Sequence, residues 1–346
     1  MKKKLPNIQS LKEWLKAISI SFLCVLFVRS FLFEISPVNS PSMEKTLLTG
    51  DYMLVNKLSY GPRLMRTLLS TPFINQRFYS DIITLPYMRL FGEPDVERND
   101  VVVFNFPKEF DFPVDHRTYF VKRCVAIPGD TLTIIDGLVY INHQLSDNEN
   151  NLQFNYHIKS DKELDSNFVA HYTLYEGGKI SDKNDYSFTL TKALVDTLKS
   201  KSYISIIEKN NEKKDMWDEY VFPEDIHYKW NVDNYGPLVI PKKGAQIKLD
   251  TTNLCIYKDI ITQYEHNTLE VKGDSIFINQ IYCTSYQIQQ NYYFMLGDNR
   301  HNSQDSRHWG FVPEDHIIGK TSRIVFSKDE QYIKGIRWNR CFKLIE

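Results

Sequence analysis

The sequence predicts a mostly β body carried behind one apolar N-terminal helix. Three observations predict it. The chain has 21 phenylalanines and 21 tyrosines, residue types that favour strands. Its apolar runs are mostly short and bounded by Gly, Pro, Asn and Asp turns. One run alone is long enough to cross a bilayer. A chain of 346 residues has room for two domains at about 100–200 residues each. A net charge of −1 argues against nucleic acid as a partner. The five cysteines and nine histidines show no C-x-x-C or H-E-x-x-H spacing, so no metal is expected. An odd cysteine count leaves at least one thiol unpaired.

The apolar run extends from Ala17 to Ile35, interrupted by Arg29 and Glu34, and reaches spanning length when extended back to Trp14. Lys16 and Arg29 can snorkel near its ends. A cleavable signal peptide and a buried helix are the alternatives. An uncleaved anchor fits better, because the small-residue stretch that would suit cleavage, Ser36 to Ser40, abuts a pair of serines. Lys2, Lys3, Lys4, Lys12 and Lys16 face only Glu13 in the first sixteen positions, so the N-terminus is expected in the cytoplasm and the body outside.

Behind the anchor, Tyr52–Leu58 reads as a strand introduced by Gly50-Asp51. Residues 62–94 hold Pro62, Pro72, Pro86 and Pro94 with Arg63, Arg66, Arg77 and Arg89, which excludes a second span and suits an irregular loop, solvated or touching lipid head groups. Asp100–Phe106 and Tyr119–Ile127 read as buried strands, and Thr131–Ile135, Asp136-Gly137 and Leu138–Asn142 as a hairpin. Residues 145–230 are polar and offer one helix-like run, Thr189–Ser200. Strands resume at Pro237–Pro241, in a second hairpin at Thr268–Lys272 and Ser275–Ile281, at Tyr292–Leu296 and at Ile317–Phe326. The arm Ile276-Phe277-Ile278-Asn279 echoes Val139-Tyr140-Ile141-Asn142, too briefly to define a repeat.

The chemistry starts from Asn39-Ser40-Pro41-Ser42-Met43-Glu44-Lys45-Thr46-Leu47. A serine hydroxyl needs a base to become a nucleophile, and two lysines are candidates. Ser42-Met43-Glu44-Lys45 satisfies the S-x-x-K signature of penicillin-recognising serine enzymes, with Ser146-Asp147-Asn148 and Lys320-Thr321-Ser322 as partial companions. That signature needs a long helix opening at the serine, and Gly50-Asp51 follows too soon. Lys122 lies instead in an apolar strand with Phe120, Val121, Cys124, Val125, Ala126 and Ile127. Keeping a lysine neutral at pH 7 means lowering its pKa from about 10.4 to about 7, or about 4 kcal/mol, and burial can do this. Taken alone, a strand lysine pointing to water is the commoner arrangement.

Together the blocks resemble the ordered signature segments of the bacterial type I signal peptidases. They are a basic start and anchor, NSPSMEKTLLTGDYMLVNKLSYG, DVVVF, YFVKRCVAIPGDTL and GDNRHNSQDSRHWGFVP. The resemblance implies a membrane-anchored serine endopeptidase that needs no cofactor and cuts signal peptides from exported preproteins at the outer face of the cytoplasmic membrane. It makes Ser42 the nucleophile and Lys122 the general base. Ser40 and the Ser42 backbone N–H would form the oxyanion site. Ser303 would aim the Lys122 amine, Asp305, Arg307 and Arg123 would brace the site, and Asp298 and Asn299 would order their turn. Val38, Met43, Leu47, Phe120 and Val121 would line shallow pockets for small side chains at −1 and −3. The implied fold is an antiparallel β catalytic domain in two parts, 37–135 and 285–346, interrupted by an inserted second domain at 136–284 and preceded by residues 1–36 as N-terminus and anchor. Lys45 departs from the family pattern, which has a proline ahead of the Thr46-Leu47 equivalents. A membrane-tethered binding protein that keeps the fold without activity is the remaining alternative class.

Overall fold

The computed structural model describes residues 8–70, 79–91, 95–329 and 335–345; Lys2, Lys3, Lys4, Pro72, Arg77 and Pro94 lie outside them. The N-terminal helix Ile8–Phe27 continues into a π-helical turn, Val28–Leu32. The span Lys12–Leu32 is apolar and long enough to cross a bilayer, and none of it is buried against the protein, which excludes the core-helix alternative. It ends earlier than the apolar run suggests. Phe33–Pro37 is a strand, because Glu34 is drawn into the body by Lys57 at 2.8 Å and Arg29 at 3.0 Å.

That strand opens an eight-stranded sheet. Its order is Phe33–Pro37, Asp51–Asn56, Ile317–Asp329, Val101–Asn105, Tyr119–Ala126, Tyr292–Leu296 and Val312–Pro313, with Gly335–Ile336 paired onto the long strand. Each pairing is antiparallel. The strands come from the two ends of the chain, so the segments that carry the serines, Lys122 and the Gly297–Arg307 run meet in one sheet. Beneath the serine segment, Val38, Met43, Leu47, Met53, Val55, Val101, Val103, Ile318 and Ile324 form one core.

Both expected hairpins form, and their echo is structural. Asn142 and Asn279 each end a strand at φ +51, and each side-chain oxygen accepts the backbone N–H that opens the first arm, from Thr131 and Thr268, at 3.0 Å. The second arms, Leu138–Ile141 and Ser275–Ile278, are therefore shorter than the apolar pattern suggests, because the asparagine turns out of the strand.

Two expectations need correction. Residues 62–94 are not an irregular loop throughout, since Thr67–Ser70 pairs with Tyr79–Thr84. The Asp115 carboxylate fixes the base of this hairpin by accepting the N–H groups of Arg66 and Thr67, both at 2.9 Å. The helix expected at Thr189–Ser200 starts later, at Lys192, and runs to Lys199. Thr189 to Thr191 finish the strand Asp185–Thr191, and Thr191 caps the helix, as β-branched and hydroxyl side chains favour. The polar stretch around it holds a four-stranded antiparallel sheet, Gly177–Ser181, Asp185–Thr191, Gln153–Ser160 and Ile204–Lys209 in that order, with its own core of Ile158, Leu164, Leu174, Tyr186, Phe188, Leu190, Val195 and Leu198.

Candidate active site

Ser40 is extended, at φ −137° and ψ 153°, and Pro41 opens a single 3₁₀ turn, Pro41–Met43. Proline suits that first position because its missing N–H would have no partner there. Met43 and Leu47, both 0% exposed, pin the turn to the core below and hold the Ser42 hydroxyl toward the sheet. Lys122 stands in the middle of the strand Tyr119–Ala126, opposite Val102, and its Nζ hydrogen-bonds Ser42 Oγ. The lysine is 2% exposed, and the Phe120 ring lies 5.6 Å from its amine on the same strand face. Burial lowers the amine from 10.5 to about 8; Asp305 opposes this, Arg307 adds to it and Asp298 opposes it. A buried amine beside a hydroxyl, with a pKa near neutrality, can take the hydroxyl proton. Ser40 Oγ lies 3.1 Å from Ser42 Oγ.

The Gly297–Arg307 run wraps the other side of the serine. A side chain at Gly297 would place its Cβ 2.2 Å from Ser303 Oγ and 2.5 Å from the Ser42 carbonyl oxygen, so only glycine fits that approach. Asp298 accepts two hydrogen bonds from the Arg123 guanidinium, both 2.8 Å, and one from the Thr46 hydroxyl. The Asn299 N–H donates to the Ser42 carbonyl at 3.1 Å. Asp305 accepts the Gly297 N–H at 3.1 Å and pairs with Arg307 at 2.7 Å. Burial alone would raise the Asp305 carboxyl, but the Arg307 charge and hydrogen bonds outweigh it and bring it to about 2. Arg307 also donates to the Arg300 carbonyl at 2.6 Å. These buried ions are paired and hydrogen-bonded, the condition under which buried charge is tolerated.

The sequence model of the family "Signal peptidase, peptidase S26" matches residues 11–204 and 238–326. The chain belongs to that family. It is 26% identical over 305 residues to the signal peptidase I of Aquifex aeolicus, covering 88% of this chain and 80% of the relative. The signal peptidase I of Buchnera aphidicola subsp. Schizaphis graminum is 26% identical over 329 residues, 92% and 77% of the two chains. That of Helicobacter pylori strain 26695 is 23% identical over 348 residues, 96% and 91%. The protein is a signal peptidase of type I, a serine endopeptidase that removes signal peptides from preproteins, and its apolar N-terminal helix supports membrane anchoring.

Within the peptidase, the S-x-x-K signature does not assemble. The serine opens one 3₁₀ turn rather than an α-helix, and Lys45 is exposed in the left-handed region at φ +79. Asp147 of the S-D-N triplet pairs instead with Arg300 at 2.6 Å, and Lys320 pairs with Asp100 at 2.5 Å. Ser303 lies beside Gly297 and the Ser42 carbonyl, but its hydroxyl donates to the Gln304 carbonyl at 3.4 Å rather than to Lys122. The partly exposed hydroxyl is turned toward its own loop. Of the residues matched to pockets, Val38 borders a cleft of about 1180 Å³ that Pro41, Tyr175 and Arg337 also line. Met43 and Leu47 are closed into the core, Val121 packs on that core, and Phe120 stacks on Phe106 at 4.7 Å.

Sequence reasoning missed how the four-stranded sheet grips this turn. The Gln153 N–H donates to the Asp298 carbonyl, and the Arg300 N–H to the Gln153 carbonyl, both at 2.9 Å. His301 pairs with Asp233 at 2.7 Å. One signal was readable: Asp147 and Arg300 carry opposite charges, and Arg300 had no role of its own in the expected site.

Proposed function

We propose that this peptidase cleaves with Ser42 as nucleophile and Lys122 as general base. Neutral Nζ accepts the proton of Ser42 Oγ as that oxygen attacks the scissile carbonyl carbon. The oxyanion receives hydrogen bonds from the Ser40 hydroxyl and the Ser42 N–H. The tetrahedral centre collapses, the Lys122 ammonium returns its proton to the leaving amine, and the signal peptide remains as an ester on Ser42. A water molecule deprotonated by Lys122 then releases it as a carboxylate. Asp305, Arg307 and Arg123 brace the dyad, and Ser303 aims the amine after one side-chain rotation. The observation that carries this reading is the buried Lys122 amine against Ser42 Oγ, with its pKa brought to about 8.

Treating the folded protein with a serine-directed acylating inhibitor and mapping the adduct tests it. Acylation on Ser42, absent in Ser42→Ala, is expected. A folded protein that is never acylated would favour the inactive tethered scaffold, and an adduct on another serine would overturn the assignment.

Val38, Phe120 and Val121 take the small side chains at −1 and −3, with Met43 and Leu47 as the closed floor beneath them. Precursors with phenylalanine at −1 are then expected to stay uncleaved, and cleavage equal to alanine would remove this assignment. The catalytic domain comprises 37–135 and 285–346, with 136–284 inserted. The bilayer holds the anchor and the substrate's apolar segment together, which raises their effective concentration. The body faces outward from the cytoplasmic membrane, as the lysine excess before Ala17 favours. Protease added to intact spheroplasts should digest it; a protected body with a clipped N-terminus would reverse the topology.

A further inference from the structure

We propose that Glu176, from the inserted sheet, is a positioning residue for the reaction, acting through Asn299 on the peptide unit that carries the Ser42 N–H; this rests on the reading of Ser42 as nucleophile. Glu176 immediately precedes the strand Gly177–Ser181 and is held there by its carbonyl, which accepts the Thr189 N–H at 3.0 Å. Its carboxylate reaches across to the catalytic turn. Oε2 accepts Asn299 Nδ2 at 2.8 Å and Oε1 accepts Asn302 Nδ2 at 2.7 Å.

Asn299 passes this constraint on. Its Nδ2 also donates to the Pro41 carbonyl at 3.3 Å, and its backbone N–H donates to the Ser42 carbonyl at 3.1 Å. The Pro41 carbonyl and the Ser42 N–H belong to one planar peptide group, so fixing the carbonyl fixes the direction of the N–H proposed to meet the oxyanion. Asn299 is fully buried, and its Oδ1 has no hydrogen-bond partner among the described residues. The amide is therefore held through its NH₂ end alone. A side-chain amide can turn over and exchange its oxygen and nitrogen. A carboxylate only accepts hydrogen bonds, so Glu176 keeps Nδ2, rather than Oδ1, directed at itself and at Pro41. The inserted sheet thus supplies a group one residue removed from the nucleophile's backbone.

The test is steady-state precursor cleavage by the full-length protein in detergent, with Glu176→Gln, Glu176→Ala, Glu176→Lys, Asn299→Ala, Glu176→Ala/Asn299→Ala, Ser42→Ala and, as control, Ile180→Ala at an exposed position of the strand Gly177–Ser181. We expect kcat to fall about tenfold in Glu176→Ala with KM within about twofold, since coupled contacts in one network carry effects of this order. Glu176→Gln, which keeps one acceptor, should lose less, and Glu176→Lys, which repels the NH₂ group, should lose more. The double variant should lose no more than Asn299→Ala, and the midpoint of the pH profile should stay where it is in the wild type. Wild-type kcat in Glu176→Ala beside an inactive Ser42→Ala overturns the inference alone. So does a loss carried by KM, a moved pH midpoint, additive losses in the double variant, or an equal loss in Ile180→Ala. Retained turnover in Ser42→Ala overturns the underlying reading and the inference with it.

Discussion

Lys45 stands three residues from Ser42 in sequence, and Lys122 stands 80 residues away, yet the distant amine is the one that meets the serine hydroxyl. The difference lies in what carries each lysine. Ser42 sits on a single turn that ends at Glu44 in extended geometry, so no helix brings a fourth residue round to the same face. Lys45 then turns outward into water. Lys122 is carried by a central strand whose neighbours on both sides keep water away, and burial there disfavours the charged form. Reach along the chain says little about chemistry until the backbone between the two residues is known.

Separating the two lysines gives the largest expected effect. If Lys122 is the base, Lys122→Ala should lower precursor cleavage by roughly 100-fold to 10,000-fold. Lys45→Ala, a change at an exposed turn, should stay within about threefold of wild type. Cleavage is measured on protein shown to be folded. Near-wild-type turnover by Lys122→Ala, or the opposite order of the two losses, would break the comparison.

The pH profile sharpens it. Only the neutral amine can accept a proton, and its folded value is about 8, so the rate should rise with pH and level off above that value. At pH 6 the neutral fraction is about 100-fold below the plateau, two pH units being two factors of ten. The same profile in Lys45→Ala would assign the rise to the buried lysine. A rate that stays level from pH 6 to 9 would remove Lys122 as the titrating base.

Much of this contrast was legible in the sequence, for reasons that differ along the chain. The strand Tyr119–Ala126 announces itself through Val121, Cys124, Val125 and Ala126, and Asp136-Gly137 marks the hairpin that follows it. The missing helix after Ser42 could be read from Gly50-Asp51, although the left-handed Lys45 could not, because a lysine carries no turn signal. The four-stranded sheet was illegible for a physical reason. Its strand Gln153–Ser160 (QFNYHIKS) shows no clean alternation, because its buried set includes Gln153 and Ser160 along with Phe154 and Ile158. Glu176 was equally silent, since its value comes from two asparagines that only the fold places beside it. Ser303 was named from resemblance, and its present hydrogen bond to Gln304 depends on a side-chain rotation that no sequence pattern encodes.

Stability offers a third test, smaller than the kinetic ones. The Lys122 value of about 8 in the folded chain lies below its ordinary 10.5. Between those limits the unfolded chain binds the proton more readily, so this residue makes wild-type stability increase from pH 8 to 10.5. Below pH 8 both states are protonated and the folded state bears the full penalty, about 3 kcal/mol. Lys122→Met keeps the length and removes the charge, so it should be inactive yet more stable near pH 7 by on the order of 1–3 kcal/mol. The advantage should shrink as pH approaches 10.5. Chemical denaturation in detergent measures it, and an advantage that grows with pH would show that the amine is not held by burial as described.

The smallest effect belongs to Lys45, and it tests the turn rather than the chemistry. A side chain at φ +79 brings its Cβ close to the following carbonyl, which costs an L-residue roughly 1–2 kcal/mol. Glycine avoids that contact but brings a more flexible unfolded chain, and the two effects oppose each other. Lys45→Gly should therefore stabilise the protein by a few tenths to about 1 kcal/mol and leave cleavage near wild type. Lys45→Pro should do the reverse, because the ring holds φ near −65° and the chain would have to leave its present path between Glu44 and Thr46. The pair is informative because the resemblance read from the sequence implies a proline just ahead of Thr46-Leu47, where this chain turns left-handed. If Lys45→Pro were as stable as wild type and Lys45→Gly less stable, the segment would not adopt the left-handed turn. Lys45 would then lose the geometric reason that separates it from Lys122.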